Sequence, residues 1–147
     1  MFNNTSRSII KSEIETIELE LGITFPQSFI EHYLVYNGGI PSNPFFYSET
    51  DIETEIQVFS PIKYKNNNNV KTVEEKYVFF KERSLLMSEF LPFANDYGSN
   101  QICINLKNNK IYIVYMDIGE LNQKCFKYLA KNFEEFINGL SDESIEG

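Results

Sequence analysis

Gly22-Ile23-Thr24-Phe25-Pro26-Gln27-Ser28-Phe29-Ile30-Glu31-His32-Tyr33-Leu34-Val35-Tyr36-Asn37-Gly38-Gly39-Ile40-Pro41 is the stretch that decides how this chain folds. Pro26 suits the first turn of a helix, where a missing N–H costs nothing. Phe29, Ile30, Tyr33 and Leu34 recur at helical spacing, which predicts a helix over 26–36. Asn37-Gly38-Gly39 supplies the positive-φ residues that end a helix, and Pro41 bars its resumption. Nothing in the run is chemically reactive. It is scaffold.

Upstream, Ser12-Glu13-Ile14-Glu15 has the form of a capping box, with Ser12 capping and Glu15 reaching back. Ile14, Ile17 and Leu21 share one face, so a first helix is predicted over 12–21, with Glu13, Glu15 and Glu20 toward solvent. Downstream, 44–61 turns aromatic and β-branched, the signature of a strand. Within it Glu49, Asp51, Glu53 and Glu55 alternate with Thr50, Ile52, Thr54 and Ile56, which predicts four carboxylates on one strand face, with Val58 continuing the buried side. Residues 63–71, with four consecutive asparagines at 66–69, read as an exposed mobile loop. A helix follows over 72–80 on the strength of Val73, Tyr77 and Phe80, with Glu74 and Glu75 in its first turn.

Strands are predicted over 90–93, 101–106, 111–116 and 124–129, the middle pair joined by the hairpin loop Lys107-Asn108-Asn109-Lys110. Asn132-Phe133-Glu134-Glu135 opens a closing helix carrying Phe133, Phe136, Ile137 and Leu140, and 141–147 reads as a frayed acidic tail. The order predicts one α+β domain over 1–147, core about 12–140, with a mainly antiparallel β-sheet packed against about four helices.

Composition sets bounds on function. The 147 residues include 13 Phe and 9 Tyr, enough bulk to fill a core without staples. A net charge of −8 opposes binding to nucleic-acid phosphates or an anionic membrane and suits a basic protein partner. The first ten residues lack the apolar core of a secretory signal, and no segment approaches the roughly 20 apolar residues of a membrane span, so a cytoplasmic monomer is expected. Abundant Asn, Ile and Lys with two Arg points to an AT-rich, bacterial genome. Cys103 and Cys125 follow no metal or disulfide spacing, and Cys103 should point away from Ile102 and Ile104.

Catalytic chemistry finds little support. His32 is the sole histidine and sits mid-helix with no nucleophile motif beside it, so a packed histidine outweighs a general base. No phosphate-cradling glycine loop is present, and no metal or cofactor is expected. Asp96-Tyr97-Gly98-Ser99-Asn100 gathers polar groups between two strands, but turn chemistry accounts for every residue type in it. Tyr33 and Tyr36 read as core residues with satisfied hydroxyls. The acidic ladder differs, because like charges on one face repel unless solvent or a cationic partner relieves them; its alternative is a solvated edge strand that resists aggregation.

Three motifs in order resemble the SUKH superfamily, in the branch of the yeast Smi/Knr cell-wall-synthesis regulators. They are the helix carrying Glu18 with Leu21-Gly22-Ile23 and the Phe25 to Pro41 run; Leu91-Pro92-Phe93-Ala94-Asn95-Asp96-Tyr97-Gly98-Ser99-Asn100-Gln101-Ile102-Cys103-Ile104; and Phe133-Glu134-Glu135-Phe136-Ile137. The resemblance implies a bacterial immunity protein that neutralises a cognate polymorphic or contact-dependent toxin, often a nuclease or deaminase, by stoichiometric binding. The partner-binding residues expected are Glu49, Asp51, Glu53, Glu55, Asp96 and Tyr97. A scaffold or regulator of the Smi/Knr type, binding several partners, is the alternative; an enzyme using Asp96, His32 or Tyr97 stands behind both.

Overall fold

A computed structural model describes residues 1–50, 52–65, 70–116 and 125–142. Asp51, the asparagines at 66–69, Lys124 and residues 143–147 lie outside the described residues, and with them part of the expected acidic ladder, polar loop and tail. The elements run β1 (Phe2–Asn3), α1 (Lys11–Leu21), α2 (Gln27–Val35), β2 (Ile40–Pro41), β3 (Phe45–Tyr47), β4 (Glu53–Phe59), α3 (Val73–Glu82), β5 (Phe90–Asp96), β6 (Gln101–Asn105), β7 (Ile111–Val114), β8 (Phe126–Ala130) and α4 (Phe133–Asn138). Strands β3 to β8 form one antiparallel sheet in chain order, and β1 pairs separately with β2. The chain is α+β, as its sequence predicts.

Alternation along the strands gives the sheet two faces. On the inner face Ile56, Phe59, Leu91, Phe93, Ile102, Ile104, Ile111 and Ile113 pack with Ile14, Ile17, Phe29, Tyr33, Phe133 and Phe136 of α1, α2 and α4. On the outer face Leu86, Phe90, Cys103, Val114 and Cys125 form a second cluster that Phe80 of α3 joins. Cys103 thus points away from Ile102 and Ile104, and both cysteines are free and buried.

The opening run behaves as scaffold. Pro26 stands one position earlier than predicted, as the extended residue that begins α2. Leu34 drifts off the buried face and is 37% exposed, whereas Phe29, Ile30 and Tyr33 are buried. The Tyr33 hydroxyl donates to Ser60 O at 2.7 Å. Gly38 and Gly39 have φ of 76° and 103°, and a Cβ would meet Pro61 N at 2.8 Å on Gly38 and Asn3 O at 2.6 Å on Gly39. Between them and the helix, buried Asn37 donates from Nδ2 to Arg7 O (2.8 Å) and Ile62 O (2.9 Å) and accepts at Oδ1 from Ile62 N–H (2.7 Å).

Several boundaries differ from the reading of the sequence. The cap of α1 is shifted: Ile10 is the capping residue, and Glu13, not Glu15, reaches back to its N–H at 3.1 Å. Glu13 is half-buried, where Lys63 Nζ bonds it at 2.7 Å and the Tyr64 hydroxyl donates to it as well. These bonds hold its carboxyl down at about 2, the Lys63 contact foremost. Lys63 N–H also donates to Glu74 Oε2 at 3.0 Å, so the start of the expected mobile loop is tied down. Ser141 is no frayed tail either: it exchanges backbone bonds of 2.9 and 2.7 Å with Phe45, beside β3.

Candidate functional site

The predicted strand over 44–61 is a hairpin. Ser48 Oγ accepts from the N–H groups of Thr50 (3.2 Å) and Ile52 (3.0 Å), a side-chain-built turn that reverses the chain between β3 and β4. Charged and uncharged residues alternate through this turn without a break, which is why the sequence shows one strand. Glu49 therefore sits on the turn, near enough to raise the Tyr128 pKa alongside the larger effect of burial. Asp51 lies outside the described residues. Glu53 and Glu55 lie on the outer face of β4, in register with Tyr47 and Phe45, while Thr54 and Ile56 are buried. Among the described residues, the expected ladder has two acids on the strand, Glu53 and Glu55, and one on its turn, Glu49.

β4 pairs with β3 through Glu53–Glu55 and with β5 through Ile56, Val58 and Phe59, so Glu53 and Glu55 precede the stretch that joins β5. No Lys or Arg pairs with Glu55 among the described residues. A register shift between Ile56 and Val58 then flips the alternation, leaving Val58 half-buried and giving the inner position to Phe59 instead of Val58.

Asp96 and Tyr97 divide. Asp96 Oδ1 accepts from Gly98 and Asn100 N–H, both at 2.9 Å, and Oδ2 accepts from Asn100 Nδ2 at 3.0 Å. Both carboxylate oxygens are spent on the β5–β6 turn. Tyr97 on the same turn is 65% exposed. Asp96 is in register with Ile56, which sets the turn at the end of the sheet toward Glu55.

His32 is packed rather than poised. Its ring meets Phe2, Tyr33 and Phe133 edge-on at 4.8, 5.6 and 5.4 Å, and Nε2 is buried without a partner among the described residues. Burial, with a lesser push from the chain's amino terminus, lowers its pKa to about 4. Burial raises the Cys103 thiol far above its ordinary range. Among the described residues no three His, Cys, Asp or Glu side chains gather as a metal site.

One polar cluster went unread in the sequence. Between α3 and the outer sheet face a cleft of about 460 Å³ is lined by Lys76, Asn95, Gln101, Val58, Phe79 and Phe80. The signal was Lys76 itself, which occupies the buried stripe of Val73, Tyr77 and Phe80 at helical spacing.

Residues 9–139 match the SMI1 / KNR4 family (SUKH-1). This chain belongs to that family. Within this SUKH-1 chain the three signature motifs fall on α1–α2 and the glycine turn after it, on β5–β6 with their Asp96 turn, and on α4. The chain is also 38% identical over 56 residues to the SPbeta prophage-derived uncharacterized protein YokK of Bacillus subtilis (strain 168). That stretch is 38% of this chain and 29% of the relative.

Proposed function

We propose that this SUKH-1 protein is an immunity protein that binds a basic toxin domain and blocks it stoichiometrically, without catalysis, in the bacterial cytoplasm. The observation that carries the reading is the outward-facing pair Glu53 and Glu55 on β4, with no Lys or Arg paired to Glu55 among the described residues. Phe45 and Tyr47 stand opposite the two acids in register, which places half-buried aromatics beside acids, a composition suited to recognising a cationic surface. Tyr97, exposed on the β5–β6 turn, and Glu49, on the β3–β4 turn, are further candidate contacts. A net charge of −8 favours the same partner at long range.

The test is co-expression with the product of the neighbouring gene, then co-purification and toxicity measurements. A 1:1 complex that abolishes toxicity supports the reading. Capture of several unrelated partners with no protection from a toxin points instead to a Smi/Knr-type regulator. Within a confirmed pair, Glu49→Gln, Glu53→Gln and Glu55→Gln together should slow association and flatten its salt dependence.

A further inference from the structure

The cleft beneath α3 holds two buried polar groups that the fold leaves incomplete. Lys76 is 7% exposed, and among the described residues its ammonium makes one hydrogen bond, to the neutral Asn95 Oδ1 at 3.2 Å. Buried cations are ordinarily paired. Here the titratable groups that act on Lys76 are the Cys103 thiol and the Lys71 ammonium, and neither is a carboxylate. Gln101 is 5% exposed; its Nε2 donates to Ser99 O at 3.0 Å, while Oε1 has no partner among the described residues. Asn95 and Gln101 are cross-strand partners on β5 and β6, so the cation resting on Asn95 and the open acceptor share one floor.

The walls narrow the choice of occupant. Val58, Phe79 and Phe80 are apolar, and about 460 Å³ is room for one residue with its peptide unit. Lys71 Nζ and Arg83 Cζ lie 4.6 and 3.9 Å from the Phe79 ring centroid, which places two further cations beside the mouth of the cleft. In a chain of charge −8 this is a local field of the opposite sign. An occupant must therefore bring an anion for Lys76, an N–H for Gln101 and an apolar side chain for the walls. A phosphate brings no N–H. A mid-chain Asp or Glu spends its side chain on Lys76 and leaves the walls bare. An apolar C-terminal residue carries all three groups on one Cα.

We propose that this cleft binds the apolar C-terminal residue of a partner polypeptide, with Lys76 holding its carboxylate and Gln101 Oε1 accepting its N–H. The proposal is independent of the acidic β3–β4 face. The probe is N-acetyl-L-leucine, titrated into ¹⁵N-labelled protein with the side-chain resonances of Lys76 and Gln101 observed. Saturable shifts are expected with a dissociation constant on the order of 1 mM, about what a ligand of this size reaches. N-acetyl-L-leucinamide, which lacks the charge, should bind at least about tenfold more weakly, since it forfeits a charge-assisted hydrogen bond. Lys76→Met should abolish the shifts and the exposed Lys127→Met should not. If Lys76→Met fails to fold, Gln101→Glu serves, because its carboxylate would pair with Lys76 and repel the ligand.

Equal binding of the amide, or no saturable shift, overturns the proposal. A blocked aspartate amide that binds as tightly as N-acetyl-L-leucine would move the assignment to an internal acidic residue. A pentapeptide ending in leucine that fails where N-acetyl-L-leucine binds would exclude a polypeptide and leave a small acylated amino acid.

Discussion

Asn37 and Ile62 are locked together through both edges of one carboxamide: Asn37 Oδ1 accepts from Ile62 N–H at 2.7 Å and Nδ2 donates to Ile62 O at 2.9 Å. The same Nδ2 reaches Arg7 O at 2.8 Å. One side chain thereby joins the N-terminal segment, the end of α2 and the chain leaving β4. Asn37→Ala would orphan a buried N–H and two carbonyls, and we expect a loss of about 3 kcal/mol in urea unfolding. A loss below about 1 kcal/mol would show that water replaces the carboxamide at little cost.

Lys76 should lower the stability of the fold. Burial depresses its pKa from 10.5 to about 8, the Cys103 thiol opposing and Lys71 assisting. Below pH 8 the ammonium is charged in both states, and the folded protein bears the full desolvation cost, about 3 kcal/mol. As pH rises from 8 toward 10.5 the folded state releases its proton first, the unfolded chain binds more protons, and the cost fades. Lys76→Met should therefore be more stable than wild type at pH 7, with the gap closing by about pH 10. A less stable variant at pH 7 would mean that Lys76 is compensated. A gain would be consistent with a residue kept for binding at the expense of stability.

His32 gives the acid-side counterpart. Its folded pKa is about 4 against 6.5 unfolded, so its contribution is fully present above pH 6.5 and is lost as pH falls through 4. The imidazole resonances should titrate below pH 5. Relative to His32→Phe, wild type should lose about 2–3 kcal/mol between pH 6.5 and 4. Parallel pH profiles for the two proteins would place a charged, solvated imidazole at this position.

What could be read in the chain was what short-range chemistry controls. The Asn132 cap (Oδ1 to Glu135 N–H, 2.8 Å) and the loop at Asn109 with φ of 65° lie within a few residues of their cause, whereas α2 ends at an extended Tyr36 before the glycines are reached. Where two local readings compete, distant partners decide. Ser12–Glu15 and Ile10–Glu13 are both plausible helix starts, and Lys63 and Tyr64, fifty residues on, hold Glu13 in the one that forms. The Ser48 turn was hidden because alternation continued through it. Of the expected binding residues, Glu53 and Glu55 share a face, whereas Asp96 is consumed by its own turn. The Lys76–Asn95–Gln101 floor needed the β5–β6 register and the seat of α3, and neither is a property of any single segment.

That division separates structure from recognition in one experiment. Asp96→Ala removes three hydrogen bonds that build the β5–β6 turn, so it should cost about 1–2 kcal/mol of stability. Its two carboxylate oxygens already accept three bonds within the turn, so association with the proposed toxin by the folded fraction should change less than twofold, within the scatter of a distant substitution. Glu53→Gln with Glu55→Gln should do the reverse. The outer face of β4 tolerates neutral polar groups, so stability should hold within about 0.5 kcal/mol. The on-rate should fall several-fold at low salt and converge with wild type at high salt, as removal of a steering charge requires. Stopped-flow association at two ionic strengths, beside a urea titration of each variant, reads both. If Asp96→Ala slowed binding with its fold intact, or the double glutamine variant bound at the wild-type rate, the working surface would lie elsewhere on the molecule than β3–β4.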